Sequence, residues 1–148
     1  MDARTRRSIA YHEAGHATAA LTLWPGSYVV ATLGSTTVTG RDQTGPRRIV
    51  HLVAGAAAEH LAPGTPRPQP RPGRSLVHSA PMAADDLRKL NEIGVADVEI
   101  MRAEETALQI LAKKVHLFAE IASHLMASTV WCMPPSLAQV YWEQRALH

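Results

Sequence analysis

Along the first two dozen positions, residues suited to a buried helical face recur at spacings of three and four. Ile9, His12, His16, Ala20 and Leu23 share one side of a helix predicted over residues 3–24. Asp2 or Thr5 can cap its start, and Pro25-Gly26 ends it. The pattern then changes. Val29, Val30, Thr32, Thr36, Thr37, Val38 and Thr39 are β-branched and suit strands. With Gly34-Ser35 as a two-residue turn, Tyr28 to Thr39 reads as a short β-hairpin. A polar loop follows over 40–46.

A second helix is predicted over 47–61. Its stretch 49–58 is nearly all apolar, which implies burial on most sides. The segment 63–73 carries five prolines and reads as an extended, polyproline-like loop. A third helix is expected over 82–93, closed by Gly94, and a long fourth over 96–127. In the fourth, Leu108, Leu111, Val115, Phe118, Ala122 and Leu125 alternate at three and four. That stripe lasts under three heptads, so it predicts an intramolecular seam rather than a coiled coil between chains. Pro134-Pro135 breaks the chain before a last helix over 136–146.

The pattern gives a mainly α fold with one small hairpin, in a single domain spanning residues 1–148. Abundant alanine and a lone Phe fit closely packed helices better than an aromatic-rich β-sandwich. Cys132 is the only cysteine, which excludes an internal disulfide and a cysteine-based zinc cluster. It leaves a reducing, cytoplasmic setting as the simplest expectation. The formal charge of +2 makes no case for nucleic acid. The arginine groups at 4–7, 47–48 and 67–74 read as solvated faces. Residues 9–24 are too short and too polar to cross a bilayer, so no membrane association is expected.

His12, Glu13 and His16 form an HExxH pattern on the first helix. Two histidines one turn apart can direct both imidazoles at one ion. Glu13 points about 100° around the helix from His12, so it does not join the ligands but can reach a water held there. In that chemistry one Zn2+ ion activates a water, and Glu13 takes the water's proton as it attacks a carbonyl. Gly15, inside the helix, would let another element approach closely.

A third ligand must come from further along the chain. Thr22 stands where a metzincin has its third histidine, and the strand region lacks the glutamate of a thermolysin-like site. The candidates are His51, Glu59, His60, His78, Asp85 and Asp86. On the third helix Asp86 shares a face with Met82, Ala83, Leu90 and Ile93, whereas Asp85 lies with Arg88, Lys89 and Glu92. Asp86 therefore points inward, and an inward carboxylate needs a cation or strong donors. A dipole-stabilised carboxylate near a helix start is the competing account of it. Glu59, on the buried second helix, suits either an ion pair with an arginine or a hydrogen bond that orients a ligand histidine.

The order of these pieces resembles the peptidase domain of the FtsH-type AAA+ zinc proteases. IAYHEAGHATAAL resembles the metal helix of that family, WPGSYVVATLGS its following strand, LVAGAAAEHLAPG its AGRAAEE-like helix and MAADDLRKLNEIG its third-ligand segment. The resemblance implies His12, His16 and Asp86 as zinc ligands, Glu13 as the catalytic glutamate, and Glu59 as the first glutamate of the AEE pattern. It also implies a polypeptide substrate, bound by backbone pairing along the strand beside the site. Ala56 and His60 depart from the pattern, and the proline-rich loop is longer. Nothing in these residues supplies an ATPase module. The expectation is a metalloendopeptidase that cuts unfolded or flexible segments, or relies on a separate ATPase or adaptor. The alternative is a protease-derived, zinc-stabilised binding or regulatory module without catalysis.

Overall fold

The computed structural model describes residues 1–40, 43–65, 67 and 72–132. The helix predicted over 136–146 lies outside them. The first helix, α1, is Ala3–Leu23. Asp2 caps it by accepting the Thr5 N–H at 2.7 Å. The chain turns out through Gly26, whose φ of 84° a side chain would resist. Strands β1 (Tyr28–Thr32) and β2 (Thr36–Thr39) form the hairpin.

The hairpin turn differs from expectation. Ala31 pairs with Thr36, and the Thr32 N–H donates to the Ser35 carbonyl at 2.8 Å. The two central residues are thus Leu33-Gly34, and Gly34 is not among the glycines of positive φ. Relative to a Gly34-Ser35 turn, β2 slides by two residues along β1. A shift of two keeps the same side chains inward. Val29, Ala31 and Val38 are buried, while Thr37 and Thr39 face out.

The second helix, α2 (Gly45–Leu61), begins two residues before the predicted start, because Pro46 is accommodated in a first helical turn. Leu52–Glu59 is buried throughout, as its apolar run predicts. A 3-10 turn at Leu76–His78 leads to α3, Ala84–Ile93. Met82 falls outside α3, and its N–H is taken by the Glu59 carboxylate. The buried Glu104 carboxylate accepts the N–H groups of Leu76 and Val77 at 2.9 and 3.0 Å, anchoring the segment that leads into α3. Burial pushes the Glu104 carboxyl up to about 7, against the downward pull of those two donors.

The single long helix predicted over 96–127 is two helices, α4 (Asp97–Lys113) and α5 (Val115–Ser128), with Lys114 between them. Periodicity reads a face but not an axis. The seam stays in phase, yet α4 packs on α2 while α5 packs on α1. Leu111, Phe118, Ala122 and Leu125 are buried, but Val115, at the break, is 49% exposed. After Thr129 (φ 64°) a third strand, β3 (Val130–Cys132), pairs antiparallel with β1 and buries Trp131. The sheet order is β2-β1-β3. The fold is mainly α, with a three-stranded antiparallel sheet in place of an isolated hairpin. No described helix is long and apolar enough to cross a membrane.

The core is built on close contact between α1 and α2. A Cβ at Gly15 would strike the Ala58 methyl and come within 2.6 Å of the Ala54 carbonyl oxygen. Gly15→Ala should therefore lower the thermal midpoint. Overpacking costs about 1–3 kcal/mol, against about 1 kcal/mol gained in helix propensity. Calorimetry on the purified variant checks it, and an unchanged or raised midpoint would refute the close-contact account.

Candidate metal centre

Residues 12 and 16 are one helical turn apart on the buried side of α1, where both histidines face α2 and α3. His12 is 4% exposed, His16 6% and Asp86 8%. The Nε2 atoms of His12 and His16 lie 3.0 Å apart, and each is 3.1 Å from Asp86 Oδ2. The neighbouring Asp85 is exposed and pairs with Arg88 and Lys89, as the face assignment predicts.

The other ring nitrogens fix which atoms face inward. His16 Nδ1 is 2.8 Å from the His51 carbonyl oxygen. A carbonyl only accepts, so that nitrogen is the donor. His12 Nδ1 lies 2.9 Å from Glu59 Oε2 and donates to it. Glu59 Oε1 in turn accepts the Met82 N–H at 3.0 Å. With both Nδ1 atoms spent as donors, two Nε2 lone pairs and a carboxylate oxygen converge in a buried space. Three converging acceptors repel one another unless a cation lies among them, either a proton or a metal.

Without a metal, that cation is a proton. Burial alone would push the His12 pKa down, but its bonds to Asp86 and Glu59 outweigh burial and raise it to about 9. Asp86 shows the mirror image: burial would raise it, yet the two histidines hold it well below the usual carboxylate range. A divalent ion answers the same need with more charge. The three ligand atoms lie close enough together to hold one ion. Two imidazole nitrogens and a carboxylate oxygen brought this close are a donor set that would suit zinc.

α2 supplies the space. A Cβ at Gly55 would fall 2.5 Å from His12 Nε2 and 2.6 Å from His16 Nε2, so only glycine leaves room for the rings and an ion. The sequence carried a signal for Gly55, a glycine four residues before a buried glutamate in an alanine run, but it is legible only once α2 is known to face α1. The His51 carbonyl has no sequence signal, because any residue could supply it. The His51 ring meets His16 at a tilt and Trp24 edge-on, at 5.0 and 5.4 Å between centroids. Burial first, then the charge of His16, push its pKa down to about 3, so His51 is neutral.

The remaining candidates for the third ligand lie elsewhere. His78 bonds Ser75 at 2.5 Å, and His60 is not part of the cluster. Glu59 holds His12 rather than the metal position.

The cluster forms the floor of a cleft of about 200 Å³, lined also by Glu13, Gly34, Ser35, Thr36, Leu52, Met82 and Lys89. Glu13 is buried on the wall beside the ligands, and the Thr36 hydroxyl donates to its Oε2 at 2.6 Å. The arrangement can hold a divalent cation next to a carboxylate base within reach of a bound molecule. No family model, curated protein or solved structure matches the chain, so the chemistry is argued from this geometry.

Two outcomes follow. Gly55→Ala should keep its helical content and lose metal binding, as read by metal analysis after dialysis. A variant that retains stoichiometric metal would refute the cradle. The second concerns pH. His12 has a folded pKa raised from 6.5 to about 9. Its contribution to the metal-free protein is therefore fully present below about 6.5 and lost as pH rises through about 9. In urea unfolding, the advantage of wild type over His12→Gln should shrink across that window. Zinc affinity should strengthen over the same window, because binding must displace that proton. A zinc affinity flat in pH would contradict the protonated cluster.

Proposed function

We propose that this chain is a zinc-dependent endopeptidase acting on unfolded or flexible polypeptide segments. The observation that carries the reading is the buried convergence of His12, His16 and Asp86 beside the Glu13 carboxylate. Two imidazoles and one carboxylate suit zinc better than magnesium or calcium, which prefer oxygen alone. The order of segments, similar to that of the FtsH-type peptidase domain, supports the same reading.

His12, His16 and Asp86 would hold the ion. The bound ion would supply the charge that acidifies a water and polarises the scissile carbonyl. Glu13 receives the proton as the water oxygen bonds to the carbonyl carbon, then delivers it to the leaving nitrogen as the C–N bond breaks. Glu59 and the His51 carbonyl keep the Nδ1 protons in place, so both Nε2 lone pairs stay turned toward Asp86, where an ion would be held.

Among the described residues, β2 pairs on one side only, with β1. Its outer edge starts at the cleft, where an extended substrate could align by main-chain pairing at Thr36, while further along the Gln43 side chain donates to the Val38 carbonyl at 2.6 Å. Such binding requires an unfolded segment.

Glu13→Gln should retain zinc and lose cleavage of an unfolded protein such as casein, by a factor on the order of 100 or more. Asp86→Ala should lose both zinc and cleavage, while Asp85→Ala keeps both. Undiminished proteolysis by Glu13→Gln would refute the enzyme. A zinc-loaded wild type that cleaves nothing would favour a binding module.

A further inference from the structure

Glu13 is buried, and a glutamate side chain in a cleft wall has several rotatable bonds with which to lose its aim. The structure assigns to Thr36 the task of fixing it: Thr36 is a positioning residue that holds the Glu13 carboxylate through Oε2. This inference rests on the endopeptidase reading above.

The geometry is specific. Thr36 Oγ1 lies 2.6 Å from Glu13 Oε2 and 3.2 Å from the Glu13 carbonyl oxygen. A hydroxyl has one proton to give. The shorter contact lies in the range of about 2.5–2.7 Å typical of an O–H donor on a carboxylate, so the carboxylate receives it. The bond engages Oε2 and leaves Oε1 to exchange protons with water.

Thr36 is itself fixed by elements other than α1. It opens β2, paired with Ala31 of β1, and Val38 on the same face is buried. The ladder sets the backbone and β-branching restricts χ1, so the hydroxyl is presented with little freedom. Glu13 is thus clamped between its own helix and the hairpin. Ser35 or Thr37, one position away, would point to the other face of the strand. The hairpin whose outer edge could pair with a substrate also aims the base.

Thr36→Val keeps the shape and removes the donor, and Thr36→Ser restores the donor. The account expects Thr36→Val to bind zinc as wild type does, with KM within twofold and kcat lower by on the order of 10- to 100-fold. Thr36→Ser should recover most of kcat. A Thr36→Val kcat within twofold of an active wild type overturns the assignment. So does a fall in kcat that Thr36→Ser fails to repair, which marks a packing role. A double-mutant cycle on the metal-free protein, pairing Thr36→Val with Glu13→Ala in urea unfolding, reads the bond without reference to activity. Favourable coupling is expected and zero coupling overturns the bond. A wild type that cleaves nothing, with the coupling intact, sinks the endopeptidase reading and the positioning role together while leaving the bond itself standing.

Discussion

Two imidazole lone pairs and a carboxylate oxygen meet within about 3 Å of one another in a buried space, and that mutual repulsion is the constraint around which the molecule is arranged. It arises because each histidine spends its Nδ1 proton on a fixed acceptor, Glu59 for His12 and the His51 carbonyl for His16. Only a cation relieves it. A proton does so in part, which is why the His12 pKa climbs to about 9 despite burial. A divalent ion would do so with more charge.

Small residues make that site possible. Gly15 lets α2 lie against α1, and Gly55 keeps α2 clear of the imidazoles. α2 then contributes the His51 carbonyl and Glu59 from either side of Gly55, about two turns apart. Glu59 reaches both ways, to His12 and to the Met82 N–H just before α3. One buried carboxylate thereby ties α1 to the segment that delivers Asp86. Glu104 secures that segment from the α4 side. The hairpin closes the opposite wall through Thr36.

Much of this was legible in the chain, for identifiable reasons. The HExxH spacing and the inward face of Asp86 follow from helical geometry, which is local. Helix α2 announced its burial by its apolar run. What stayed hidden depends on which elements meet. The break at Lys114 leaves the hydrophobic stripe in phase, so no periodicity could reveal it. Strand β3 has three residues and exists because β1 offers it an edge. The hairpin turn moved from Gly34-Ser35 to Leu33-Gly34 without changing the inward set, because a slip of two preserves the face. Gly55 and Thr36 act across element boundaries, where sequence spacing carries no information.

The central claim is that His12, His16 and Asp86 together hold one zinc ion. Anomalous scattering from a zinc-loaded crystal, recorded on both sides of the zinc edge, tests it most directly. The account predicts one strong peak per chain at about 2.0–2.2 Å from both Nε2 atoms and an Asp86 carboxylate oxygen. No peak at that position, or a peak coordinated by other residues, would contradict it.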